Sequence, residues 1–133
     1  MKKILSIILL FCICSYCYSE VLKLKATYMA YKYERSNGYW TNWSEWEPTD
    51  ILIVINVDKS VINIYSEKTQ EFDIIEYLGE TNDNDGSGGT SMKFLCIDKN
   101  GLRCHMRFRK INNQSQLYID YSNLTYVYSV EIR

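Results

Sequence analysis

Residues 90–110 read TSMKFLCIDKNGLRCHMRFRK. From Leu102 to Arg109 apolar and polar residues alternate without an error. Leu102, Cys104, Met106 and Phe108 share one face; Arg103, His105, Arg107 and Arg109 share the other. Period two is the mark of a half-buried strand, because successive side chains leave the pleat on opposite sides. Thr90–Asp98 precedes it as a second strand. Between them lies Lys99-Asn100-Gly101, the composition of a type I turn closed by a glycine in the left-handed region. The register of this hairpin opposes Asp98 to Leu102, Ile97 to Arg103 and Cys96 to Cys104.

The same reading extends in both directions. Val21–Glu34 alternates Leu22, Leu24, Ala26 and Tyr28 against Lys23, Lys25 and Thr27. Ile51–Val57 is nearly all β-branched, and Val61–Tyr65 follows after Asp58-Lys59-Ser60. Gln70–Leu78 continues, with Ile74-Ile75 breaking the alternation as a bulge does. Thr81–Gly89, TNDNDGSGG, reads as a flexible loop. After the turn Asn112-Asn113-Gln114 come Gln116–Tyr121 and Leu124–Ile132. Twelve Tyr and only two Ala agree with strands rather than helices. Short turns make neighbours antiparallel, so about eight strands form a meander. Closing that meander removes its exposed edges. The expected fold is all-β, an up-and-down, lipocalin-like barrel; an open curved sheet or a two-layer sandwich is the alternative.

Residues 1–19 read as an export signal. Lys2 and Lys3 precede an apolar run from Ile4 to Cys14, too short for a permanent span, and Ser19 suits cleavage before Glu20. Residues 20–133 are then a single domain, and the location is periplasmic, cell-surface or secreted. Cys12, Cys14 and Cys17 leave a lipid anchor open as the one route to a membrane. Without Lys2 and Lys3, the 15 basic residues fall to 13 against 16 acidic, a net charge of −3. The whole-chain balance of −1 already excludes a nucleic-acid or polyanion binder that works by bulk charge.

Cys96 and Cys104 remain after cleavage. An oxidising compartment and an even count favour a bridge, which in the chain-entropy model stabilises by ~2.6 kcal/mol. The hairpin places the pair at a hydrogen-bonded site, where side-chain angles suit a disulfide less well. Two packed thiols are the alternative. Two cysteines and one outward histidine offer too few ligands for a metal.

Residues 39–48 read YWTNWSEWEP and hold all three tryptophans, Trp40, Trp43 and Trp46, spaced by three. In a strand that spacing alternates faces; in an extended, polyproline-like segment it lines one face. With Tyr39 they form either a plug at one end of the barrel or an exposed platform for sugar rings or a protein. Arg103, His105, Arg107 and Arg109 form a second candidate surface, a basic stripe for an acidic partner. Acidic cross-strand neighbours such as Asp120 would otherwise absorb it. His105 has no nucleophile tied to it by spacing, and Asp83-Asn84-Asp85-Gly86 lacks the acids of a calcium loop. No cofactor and no enzyme activity are expected.

WSEWE at 43–47 resembles the tryptophan box of cytokine receptors, and the three-Trp spacing resembles thrombospondin repeats, where guanidinium groups insert between indoles. Glu47 in place of Ser, and too few cysteines, exclude membership of either. Gly86-Ser87-Gly88-Gly89 resembles the Ser-Gly loop of periplasmic lysozyme inhibitors, but Ser91 stands where they carry Tyr. The blocks ATYMAYKYER (26–35), YWTNWSEWEP (39–48), INIYSEKTQEFDIIEY (62–77), GLRCHMRFR (101–109) and QLYIDYSNLTYVYSV (116–130) resemble a group of small, uncharacterised exported proteins of gut Bacteroidetes and their crAss-like phages. That resemblance implies export and carries no catalytic residue. The function expected is a monomeric binding module for a small apolar ligand, a glycan or an envelope protein. The alternative is an inhibitor of a cell-envelope enzyme acting through Gly86–Gly89; a hydrolase ranks last.

Overall fold

The computed structural model describes residues 21–82, 86 and 88–133. The expected leader, with Cys12, Cys14 and Cys17, lies outside the described residues, as do Asp83–Asp85 and Ser87. Eight strands follow one another: β1 (Val21–Tyr33), β2 (Glu47–Asn56), β3 (Val61–Tyr65), β4 (Thr69–Asn82), β5 (Thr90–Asp98), β6 (Arg103–Ile111), β7 (Gln114–Asp120) and β8 (Leu124–Ile132). Each pairs antiparallel with the next. β8 returns to β1 along a ladder from Leu24↔Ile132 to Tyr33↔Leu124 and closes the barrel. That ladder rules out the open sheet and the sandwich.

The deciding hairpin has the expected register, including Cys96↔Cys104. Gly101 lies at φ 80° and donates its N–H to Asp98 O at 3.0 Å. Asp98 Oδ1 accepts from the N–H groups of Asn100 and Leu102, both at 2.9 Å. Leu102 corrects one expectation. It belongs to the turn rather than to the inner face, and it is 57% exposed.

The interior is filled by side chains. Leu24, Ile53, Ile62, Ile64, Phe72, Met106, Leu117 and Ile119 are all fully buried within it. Each such side chain contributes about 1.5–3 kcal/mol relative to exposure. Beyond them, phenols close the end of the barrel beside the β5–β6 turn. Tyr121 donates to Asp98 Oδ2 at 2.9 Å and Tyr126 to Gln70 Oε1 at 3.1 Å. Tyr121 stacks on Tyr126, which meets Tyr128 edge-on.

Bulges refine the alternation. Ile75 is extruded from β4, as its sequence suggested, and Leu78 forms a second break. β4 also extends through Thr81 and Asn82, opposite Ser91 and Thr90, into a stretch expected to be loop. A further bulge at Thr27 in β1 shifts the register against both neighbours. It turns Tyr28 outward, 47% exposed, and swings Met29 towards the core.

The bridge expected between Cys96 and Cys104 is not formed: both are buried free thiols. The Asp98 N–H to Leu102 O bond at 2.9 Å marks a hydrogen-bonded pair. Two residues on, Cys96 and Cys104 occupy the same kind of pair, whose side chains stand further apart than in the alternate position. Burial, the Cys104 sulfur and the Asp73 carboxylate push the Cys96 thiol up. Burial and the carboxylates of Asp98 and Asp120 push Cys104 up to about 12.

Candidate functional site

The tryptophan segment is zipped to the free upper edge of β1 by its hydroxyl residues. Ser44 donates its N–H to Tyr31 O at 2.8 Å and accepts the Tyr31 N–H at Oγ at 2.9 Å. Thr41 repeats the arrangement with Tyr33, at 2.9 and 3.1 Å. Thr41 and Ser44 are three residues apart and each follows a tryptophan. Docking them inward throws the indoles to the outer wall. The plug expectation is corrected accordingly. Tyrosines close the barrel end, whereas Trp40, Trp43 and Trp46 lie outside, each two-fifths or more exposed.

The register lays the outer wall out in rows. Ala30, Val127, Tyr118, Arg107 and Lys93 are cross-strand neighbours from β1 through β8, β7 and β6 to β5. Ala30 and Val127 face outward yet are only 3% exposed. Trp43 lies over this part of the wall: its ring meets Tyr118 edge-on with centroids 6.1 Å apart. Lys32 Nζ sits 4.8 Å from the Trp43 ring centroid and 5.8 Å from that of Trp40. Arg107 covers the Tyr118 ring at 4.2 Å and grips Asp120 with two hydrogen bonds, through Nε to Oδ2 and Nη2 to Oδ1. The two surfaces singled out in the sequence are therefore one surface, joined through Tyr118.

The next row runs Tyr28, Ser129, Gln116, Arg109 and Ser91. Here a groove of about 540 Å³ opens between the half-exposed rings of Tyr28 and Trp46, the amides of Asn113, Gln114 and Gln116, and Ser129. Asn112, at φ 54°, makes the tight β6–β7 turn that presents Asn113 and Gln114. Thr27 fixes the bulge by donating its hydroxyl to Ser129 O at 3.4 Å. Two aromatic faces and several neutral hydrogen-bonding groups suit a ligand that is itself part apolar face and part hydroxyl.

The other predicted residues fall as follows. Tyr39 is 74% exposed at the tip of the β1 extension, away from the groove. Arg103 stands beside Ile97 near the β5–β6 turn, and His105 between Leu95 and Asp120. Of the stripe, Arg107 stacks on Tyr118 in this wall, and the cation beside both indoles is Lys32. Among the described residues, no cluster of three or more His, Cys, Asp or Glu could hold a metal ion. Tyr28, Lys32, Gln116 and Tyr118 escaped the sequence reading. A bulge placed at Thr27 would have found Tyr28, but no residue type announces it. Comparison with protein-family models, with curated proteins and with solved structures finds no match for this chain.

Proposed function

We propose that this protein is an exported, non-enzymatic glycan-binding barrel whose ligand lies on the outer wall, across Tyr28, Trp46, Gln116 and Ser129. The observation that carries the reading is the pairing of two half-exposed aromatic rings with neutral amides and a hydroxyl around one groove of about 540 Å³. Aromatic side chains with few rotatable bonds lose little entropy on binding. An apolar guest inside the barrel would have to displace Phe72, Met106 or their neighbours from a filled core, at a cost of several kcal/mol. A leader over residues 1–19 would deliver the barrel to the compartment where glycans are found.

Isothermal titration with neutral hexasaccharides of β-linked glucose and of N-acetylglucosamine and with an acidic hexamer of galacturonic acid tests the proposal. At least one should bind, and Trp46→Ala should abolish that binding. Absence of binding to neutral and charged oligosaccharides alike would remove the proposal.

A further inference from the structure

We infer that the glycan is anionic and that its charged end is held by Lys23, Lys25 and Arg133. This rests on the glycan reading and adds the ligand's charge. A second groove, of about 320 Å³, is lined by Lys23, Lys25, Asp50, Leu52 and Arg133. Lys23 and Lys25 flank the fully buried Leu24 on β1, so both side chains face outward. Arg133 donates its N–H to Lys23 O at 2.9 Å, which seats it beside them.

The side chains of Lys23, Lys25 and Arg133 meet those of Asp50 and Glu131 here. Asp50 Oδ1 lies 3.7 Å from Lys25 Nζ, but its side chain is 86% exposed, so water screens the pair. Glu131 is the register partner of Lys25 and also borders the aromatic groove. The Lys25–Glu131 pair is thus where the two grooves meet. From Tyr28 to Lys23 the β1 strand runs roughly 17 Å at ~3.4 Å per residue. The surface is long enough for an oligosaccharide. Rings and amides at one end suit uncharged sugar faces. The cations at the other suit carboxylate or sulfate substituents, which share the same charge chemistry.

The test compares three probes at low salt: neutral cellohexaose, a sulfated cellohexaose and a hexamer of galacturonic acid. One or both acidic probes should bind about fivefold tighter than the neutral one. The tighter of the two identifies the substituent. The advantage should vanish near ~0.5 M salt and in the double variant Lys23→Gln/Lys25→Gln, which should keep its affinity for any neutral probe. Equal affinity of neutral and acidic probes would overturn the anionic inference and leave the glycan reading standing. An acidic preference that survives the double substitution would also overturn it. Failure of every probe would overturn both.

Discussion

Trp43 and Tyr118, far apart in the chain, meet edge to face on the outer wall with ring centroids 6.1 Å apart. Their contact joins the tryptophan segment to the arginine stripe and divides the tryptophans by role. Trp43 covers the wall, whereas Trp46 borders an open groove.

Trp43→Ala should therefore cost stability, by about 1–2 kcal/mol, because it removes an aromatic contact with Tyr118 and a cation–π partner of Lys32. Trp46→Ala should change stability by no more than about 0.5 kcal/mol while removing glycan binding. Urea unfolding monitored by circular dichroism separates the two. Equal stability losses would contradict the division.

The tyrosine cluster sets the alkaline limit. Burial, then the neighbouring phenols and the Cys104 sulfur, push Tyr126 above the ordinary phenol range; burial and the hydrogen bond to Asp98 push up Tyr121; burial pushes Tyr128 up to about 12. A folded-state value above the unfolded one favours the protonated phenol. The contribution is complete below pH ~10 and is lost as pH rises from there through the folded values. Three tyrosines should thus ionise only as the barrel opens. Phenolate absorbance and near-ultraviolet circular dichroism should change together. Full ionisation with the dichroism intact would refute this.

The acid side carries the opposite sign. Burial raises the Asp98 carboxyl, but hydrogen bonds from Leu102, Tyr121 and Asn100 outweigh it and hold the group below its usual value. Its contribution is present above the unfolded value, ~3.9, and fades as pH falls through the folded one. Tyr121→Phe removes one of those donors, so its thermal midpoint should fall less steeply than that of the wild type below pH ~4.

The two thiols should be silent in the folded protein. Burial disfavours the thiolate at both positions, and only the thiolate reacts quickly. A maleimide added to native protein at pH ~7 should label neither Cys96 nor Cys104, and both should react in denaturant. Resistance to labelling in denaturant without reductant would reveal a bridge.

Much of the fold was legible because the signal is local. Alternation in Leu102–Arg109 and the Lys99-Asn100-Gly101 turn were enough to set one hairpin and its register. Short connectors then forced the meander. The candidate site was legible only in part. Trp40, Trp43, Trp46 and the arginines are conspicuous by residue type, but a register between distant strands is invisible in a single chain. That register brings Tyr118 beneath Trp43. The Thr27 bulge inverted the expected face of Tyr28, because an extra residue resets the two-residue period for everything after it.

Chemical-shift mapping tests the central claim most directly. On titration of an isotope-labelled sample with the tightest-binding hexasaccharide, shifts should concentrate at Tyr28, Trp46, Gln114, Gln116 and Ser129, extending to Lys23, Lys25 and Arg133 where that ligand is acidic. The amides of Ile53, Ile64 and Met106 should stay still. Shifts centred on those three interior residues, with the Tyr28–Trp46 groove unmoved, would put the ligand inside the barrel and contradict the account.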